Sequence, residues 1–146
     1  MANTVNVRLQ SMNKDLTFAA KSNSGHWTMI DSSEKAGGNE AGPTPSNYFL
    51  RHWADVREWI RFPSSKKKRT PFSRLDIFIE GKKREEHPKS FTDINLRFVL
   101  HSNGGDKALR DLKRAAELSY EKYCTVSNML KSSATITYDM EIVDEE

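Results

Sequence analysis

The side chains that could carry chemistry begin with one thiol. Cys124 is the single cysteine among 146 residues. A cysteine is nucleophilic as the thiolate, and a lone one can neither form an intrachain disulfide nor run a two-thiol cycle within one chain. A position at the start of a helix would favour the thiolate, whereas free cysteines are commonly buried and inert. We interpret Cys124 as structural and keep a reactive thiol as the alternative.

The histidines show no spacing that a metal site would use. They are His26, His52, His87 and His101. Without an H-x-H pair or a C-x-x-C motif, metal ligands would have to come from distant segments, so the sequence predicts no metal and no cofactor. His52 differs from the others because it shares a predicted helical flank with Tyr48 and Trp59. This flank either lines a pocket or forms a partly buried interface with satisfied polar groups.

Positive charge is concentrated in one short run of the chain. The run consists of Lys66, Lys67, Lys68 and Arg69, and a weaker group, Lys82, Lys83 and Arg84, follows it. The whole chain has 23 Lys and Arg against 20 Asp and Glu, a net charge of +3. So weak a field, without interleaved aromatic residues, does not favour nucleic-acid binding. We interpret the run as a solvated loop, with a local site for an anionic ligand as the alternative.

Glycine and proline mark a loop between residues 32 and 44. The loop contains Gly37, Gly38, Gly42 and Pro43. Their spacing matches neither a P-loop nor the G-x-G-x-x-G dinucleotide motif, so nucleotide binding is not indicated. The composition indicates flexibility in the loop that leads into the next helix.

Length and composition predict one domain, residues 1–146, in a cytoplasmic setting. Hydrophobic residues make up 36% of the chain and charged residues 29%, which is polar but short of a disordered composition. No apolar run approaches the ~20 residues that span a membrane, and the first residues lack a signal-peptide pattern. We therefore expect a soluble protein without a membrane partner.

Alternating apolar residues predict short strands around a central helix. The strands cover residues 4–10, 15–20 and 26–31, expected to form an antiparallel meander, and later 74–80, 94–101 and 136–142. The central helix covers residues 46–61, because Phe49, Trp53, Val56 and Ile60 form one apolar stripe.

A second long helix is predicted after the Asn103–Asp106 break, with Asp106 as its N-cap. Its apolar face contains Leu109, Leu112, Ala116, Tyr120 and Tyr123. A short helix over residues 125–130 follows Cys124. This order of elements predicts an α+β fold in which antiparallel sheets are covered by a central helix and a second long helix.

Two motifs resemble those of the OsmC/Ohr family of organic hydroperoxide reductases. The first is Gly38-Asn39-Glu40-Ala41-Gly42-Pro43-Thr44-Pro45, ahead of Tyr48-Phe49-Leu50 on the central helix. The second runs from Ala115-Ala116-Glu117 to Tyr123-Cys124-Thr125-Val126-Ser127 and is similar to an Ala-rich helix that ends in a cysteine. The element order matches from about Val5 to Val143. The resemblance implies an OsmC-like fold, an intertwined homodimer and a role in oxidative-stress defence.

The resemblance also implies a chemistry that this chain cannot complete. The family uses a peroxidatic cysteine on the central helix, assisted by an Arg and a Glu, and a second cysteine that condenses with its sulfenic acid. The peroxidatic position falls on or near Val56, and the Glu position on Ser46 or Asn47. Cys124 matches the second cysteine. We therefore expect a divergent member that lacks the two-cysteine cycle.

Three functions remain open from the sequence. The first is binding of a small organic, possibly anionic, ligand in the family's cleft by Tyr48, His52 and Trp59, with positive charge from Lys66, Lys67, Lys68 and Arg69. The second is a residual thiol-dependent hydroperoxide reductase that uses Cys124 with an external reductant. The third, which the sequence favours least, is nucleic-acid binding through the basic clusters.

Overall fold

The computed structural model describes residues 4–51 and 71–144. Two compact units divide the chain, an N-terminal unit that ends at Leu50 and a C-terminal unit that begins at Arg51. Each unit contains a three-stranded sheet. The central helix beyond Arg51 and the basic loop that was predicted to follow it lie outside the described residues. Within the described ranges, no helix is long and apolar enough to cross a membrane.

The N-terminal sheet is the antiparallel meander that the alternation predicted. Its strands are β1 (Val7–Ser11), β2 (Phe18–Ser22) and β3 (Trp27–Ile30). They pair in the order β1-β2-β3, with Leu9 opposite Ala20. Ala19 and Ala20 are buried on the central strand, whereas β1 is exposed along its whole length.

A wide turn makes β2 start later than its alternation predicts. The Met12 N–H donates to the Thr17 carbonyl at 3.0 Å, and the Asp15 N–H donates to the Asn13 side-chain oxygen at 3.0 Å. Asn and Asp commonly make such local bonds in turns. Residues 13–17 therefore belong to the turn rather than to the strand.

The loop after β3 leads into the first helix, α1 (Pro45–Leu50). A short 3₁₀ turn, Glu34–Ala36, ends at Gly37, whose φ of 87° lies in the left-handed region. Pro45 is the first helical residue, where its missing N–H costs nothing. The Thr44 hydroxyl accepts a bond from the Asn47 N–H at 3.3 Å, so Thr44 caps the start of the helix.

The C-terminal sheet is mixed, and the expectation of antiparallel pairing is wrong for one of its strand pairs. Its strands are β4 (Arg74–Lys83), β5 (Phe91–His101) and β6 (Thr135–Val143), in the order β4-β5-β6. The first two form an antiparallel hairpin, but β6 runs parallel to β5, with Asp93 opposite Thr135. Parallel neighbours require a long crossover, and the helices between β5 and β6 provide it.

Helix α2 (Gly105–Leu118) packs against β6, and its buried face differs in part from the prediction. The buried residues are Ala108, Leu112, Ala115 and Ala116. Leu109, predicted on this face, is instead 39% exposed. Alanine is as readily buried as leucine, so the spacing alone could not choose between two adjacent stripes.

The ends of α2 also differ from the prediction. Its N-cap is Gly104 rather than Asp106, which lies in the first turn, where a carboxylate interacts favourably with the helix dipole. At its other end the regular helix stops at Leu118 and continues as a π-helical turn, Ser119–Tyr123. The short helix α3 (Thr125–Leu130) follows, as predicted.

Leu112 and Leu109 test this assignment of the buried face. Leu112 is 0% exposed, so Leu112→Ala should lower the free energy of unfolding by about 2–5 kcal/mol through lost contacts and a cavity. Leu109→Ala on the same helix is the matched control and should change it by less than about 1 kcal/mol, since alanine also favours a helix. Urea unfolding measures both values, and equal losses would contradict the assignment.

Candidate functional site

A buried carboxylate organises the loop that precedes α1. Asp31, directly after β3, is 1% exposed. Its Oδ1 accepts a bond from the Ser32 N–H at 2.7 Å. Its Oδ2 accepts from the Thr17 hydroxyl at 2.9 Å and from the N–H groups of Asn39 and Ala41 at 3.2 and 3.1 Å. Because an ionised carboxylate is purely an acceptor, these donors satisfy it inside the loop.

The hydrogen bonds decide the ionisation of Asp31. Burial raises the pKa of this carboxyl group, while the bonds from Ser32, Thr17, Ala41 and Asn39 lower it. The net pKa lies below the usual value for aspartate, so the group is ionised at neutral pH. The loop is therefore built around a fixed negative charge. The sequence analysis missed it, although an Asp between an apolar strand and a Gly-rich loop was a usable signal.

Close packing explains the two glycines of the first family-like motif. A Cβ atom on Gly38 would lie 2.1 Å from the Ser32 carbonyl oxygen and 2.7 Å from Asp31 Oδ1. A Cβ atom on Gly42 would lie 2.9 Å from the Met29 backbone. No side chain is accommodated at such distances, so glycine is needed for close backbone approach. The interpretation of these glycines as a source of flexibility is therefore wrong.

Tyr48 is anchored to the same strand. Its hydroxyl donates to the Met29 carbonyl oxygen at 2.7 Å, and the side chain is half-buried. The Asp31 N–H also donates to the Pro43 carbonyl oxygen at 3.2 Å, so the loop and α1 are both attached to the end of β3. The hydroxyl proton of Tyr48 is therefore used within this unit.

The other residues of the predicted ligand site fall in one stretch of the chain, between α1 and β4. His52, Trp59, Lys66, Lys67, Lys68 and Arg69 lie outside the described residues, as does Val56. Whether these side chains lie near Tyr48 therefore stays a prediction.

Cys124 is buried at the junction between the π-helical turn and α3. The residue is 3% exposed. Its N–H donates to the Ser119 carbonyl oxygen at 2.7 Å, and its Sγ accepts a bond from the Ser127 N–H at 3.4 Å. The sulfur therefore serves as the N-cap of α3.

A small pocket lies next to this junction. It is lined by Leu96, Phe98, Ala116, Ser119, Tyr120, Ser127 and Tyr138. The volume that the centre of a water molecule can occupy is about 10 Å³. Pockets for organic ligands are far larger, typically about 300–1,000 Å³. This pocket is therefore not the organic-ligand cleft that the sequence analysis predicted.

A larger polar groove of about 360 Å³ lies at one end of the C-terminal sheet. It is lined by Glu80, Lys82, Asp93, Ile94, Asn95, Thr135 and Thr137. The Asn95 amide donates to the Thr137 hydroxyl and to Asp139, both at 3.1 Å. Lys82 belongs to the weaker basic group of the sequence analysis. The other polar residues of the groove were not singled out, because their pattern is that of a solvent-exposed strand face.

One histidine lies beside a carboxylate at the opposite end of the sheet. Asp76 Oδ2 accepts a bond from Arg74 at 2.9 Å and lies 3.1 Å from His101 Nε2. Metal-binding groups of three or more His, Cys, Asp or Glu side chains do not occur in residues 4–51 and 71–144. His101 therefore belongs to a polar cluster with Arg74 and Asp76.

Comparison with known proteins identifies the family. The family model described as OsmC-like protein matches residues 60–139. Protein YhfA of Escherichia coli strain K12 is 33% identical over 128 residues, which cover 88% of this chain and 91% of that protein. This chain belongs to the OsmC-like family. The resemblance that the two sequence motifs carried is thereby confirmed.

Solved structures share the fold, and one of them is an OsmC protein. A hypothetical protein from Aquifex aeolicus VF5 has a TM-score of 0.77 and 30% identity, over 99% of this chain and 100% of that chain. An organic hydroperoxide resistance protein OsmC from Legionella pneumophila has a TM-score of 0.68 at 14% identity, over 97% and 98% of the two chains. These matches confirm the mixed α and β fold predicted from the order of elements.

The charge on Asp31 predicts a specific pH dependence of stability. A carboxyl group whose pKa is lowered on folding stabilises the folded state above its unfolded pKa, about 3.9, and loses that contribution as the pH falls through the folded pKa. Asp31→Asn should therefore be less stable than the wild type at pH 7. The difference should shrink as the pH falls below about 4. Urea unfolding from pH 7 to pH 3 measures it, and a constant difference would contradict the prediction.

Proposed function

We propose that this OsmC-like protein binds a small organic, partly anionic molecule and does not reduce organic hydroperoxides by the two-cysteine cycle. The observation that carries the second part is the number of cysteine thiols in the chain. Cys124 is the single cysteine, and the position that the resemblance assigns to the peroxidatic thiol falls on or near Val56. An aliphatic side chain cannot form a thiolate.

Without a peroxidatic thiol, the chain lacks the first step of the two-cysteine cycle. A thiolate that attacks a hydroperoxide forms an S–O bond, breaks the O–O bond and releases an alkoxide, which takes up a proton to give the alcohol. The sulfur becomes a sulfenic acid, and a second thiol then condenses with it, releasing water and forming a disulfide. Cys124 has no such partner within the chain. An external thiol would have to supply both the condensation and the final reduction.

The surroundings of Cys124 favour the binding function over a residual thiol peroxidase. The residue is 3% exposed, and its sulfur caps α3 through the Ser127 N–H. Attack on a hydroperoxide requires an accessible thiolate. A buried sulfur that completes a helix start is instead typical of a structural cysteine.

The ligand class follows from the residues proposed to meet it. The Tyr48 ring supplies an aromatic surface on a helix whose start is fixed by Thr44 and β3. His52 and Trp59 would extend that surface. The run of Lys66, Lys67, Lys68 and Arg69 would attract an anionic group. A molecule with an apolar body and one negative end matches this set best.

A second copy of the chain is the proposed protein partner. On the N-terminal unit, Val5, Val7 and Leu9 are 79%, 58% and 56% exposed. Apolar side chains along an edge strand favour association with another chain. The family resemblance, which implies a homodimer, supports the same proposal.

The thiol chemistry can be tested directly. Wild-type protein mixed with tert-butyl hydroperoxide and dithiothreitol should consume the dithiol no faster than Cys124→Ser does, because the peroxidatic thiol is missing. Thiol titration over time measures the rate. Consumption by the wild type that disappears in Cys124→Ser would instead establish the residual peroxidase.

A gain-of-function variant provides the positive control for this assay. Val56→Cys should consume dithiothreitol in a hydroperoxide-dependent manner and should form a disulfide with Cys124 that mass spectrometry detects. The double variant Val56→Cys/Cys124→Ser should lose the disulfide. Adding Ser46→Glu supplies the carboxylate that the family uses. Absence of activity in both Val56→Cys and Val56→Cys/Ser46→Glu would contradict the assignment of position 56.

The ligand class and the partner can be tested in one native mass spectrometry experiment. Decanoate has an apolar body and a negative end, and decanol is its neutral control. The protein should appear as a dimer that retains decanoate in preference to decanol. Lys66→Glu/Lys67→Glu/Lys68→Glu should remove that preference because it reverses the local charge. A monomer would contradict the dimer, and equal retention of both probes would contradict the anionic ligand.

A further inference from the structure

The pocket beside Cys124 contains a buried hydroxyl group that lacks a partner in the described part of the chain. Ser119 is 1% exposed, and its Oγ makes no hydrogen bond there. Almost all buried side-chain polar atoms in proteins are hydrogen-bonded, and an unsatisfied one carries the full cost of its lost hydration. Ser119 is also one of the residues that line the pocket.

The unpaired hydroxyl lies where the regular helix α2 passes into the π-helical turn. In a regular helix, a serine hydroxyl can bond to the carbonyl of the preceding turn, but among the described residues the Ser119 hydroxyl makes no such bond. Here the Cys124 N–H reaches the Ser119 carbonyl oxygen at 2.7 Å, five residues away, because the turn is widened. Such turns are rare in proteins, and those that occur are frequently found at functional sites. The widened turn therefore coincides with the pocket, the unpaired hydroxyl and the single thiol.

The size and lining of the pocket define its occupant. About 10 Å³ is available to the centre of a water molecule, and one water needs roughly 10–15 Å³ by this measure. A buried water also needs two to four polar partners. Besides Ser119, the wall contains the hydroxyl-bearing residues Tyr120, Ser127 and Tyr138. Organic molecules and hydrated ions are too large for this space.

Tyr138 is suited to donate a hydrogen bond. Burial raises the pKa of its phenol, and the charges of Glu117 and Glu121 and the neighbouring Tyr120 raise it further. The phenol therefore keeps its proton at neutral pH. Its ring lies 6.0 Å from that of Tyr120, centre to centre, so the two aromatic residues form one side of the pocket.

We propose that this pocket is a binding site for one internal water molecule, held by Ser119 Oγ and by at least one other hydroxyl of the wall, and that this water stabilises the π-helical turn over Cys124. The connection to the thiol is short. Ser119 accepts the bond from the Cys124 N–H, and Ser127, on the opposite side of the junction, donates its N–H to the sulfur. Loss of the water would loosen the turn and expose Cys124.

The variant Ser119→Ala gives opposite results with and without the water. If the water is present, the variant should unfold at a lower temperature. Its Cys124 should then react with a disulfide reagent about 5–30-fold faster under native conditions. This factor corresponds to a loss of ~1–2 kcal/mol in the free energy of unfolding. If the hydroxyl is unsatisfied, its removal should leave stability unchanged or raise it, and the thiol should react no faster. That second result would overturn the proposal.

Two further measurements make the test specific to the pocket. Ser133→Ala is the matched control, because the exposed Ser133 hydroxyl donates to the Leu130 carbonyl oxygen outside the pocket; this variant should not change the reaction rate of Cys124. A crystal structure of the wild type should show a water about 2.5–3.0 Å from Ser119 Oγ. An empty pocket in that structure would also overturn the proposal.

Discussion

Burial of one ionised carboxylate constrains much of the N-terminal unit. Asp31 can remain charged inside the protein because Ser32, Thr17, Asn39 and Ala41 direct hydrogen bonds at it. To bring those donors together, the chain must fold tightly back over the end of β3, which leaves no room for side chains at two glycine positions. The start of α1, and with it Tyr48, is fixed as a consequence. The motif that resembles the family thus has an architectural explanation of its own.

The strands of the C-terminal sheet were predictable from sequence because burial of one face imposes a period of two residues. Ile94, Leu96, Phe98 and Leu100 are all buried, as their alternation indicated. The direction of β6 was not contained in that pattern, since a strand presents the same alternation to a parallel or an antiparallel neighbour. The long helical connection before β6 was the available signal. In α2, the similar apolarity of alanine and leucine left two adjacent stripes open, and Leu109 was assigned to the wrong one.

The candidate sites were less predictable because they depend on contacts between distant residues. The sequence indicated that Cys124 precedes a helix, but not the π-helical turn, which has no periodic signature of its own. Asp31 looked like the end of a strand, and its donors lie at Thr17, Asn39 and Ala41, which no local pattern connects. Family membership, by contrast, was accessible from two short motifs. The first of these motifs reflects close backbone packing at Gly38 and Gly42 rather than catalytic side chains.

The scaffold and the chemistry of this protein are therefore separable. The loop around Asp31 and the junction around Cys124 use their polar groups to satisfy backbone geometry, and neither needs a second thiol for that purpose. The sulfur of Cys124 caps α3, a structural role that requires no redox partner. In the proposed function, an aliphatic residue takes the place of the family's peroxidatic thiol, and such a side chain cannot form a thiolate. The proposal therefore leaves this scaffold to bind a ligand without oxidising it.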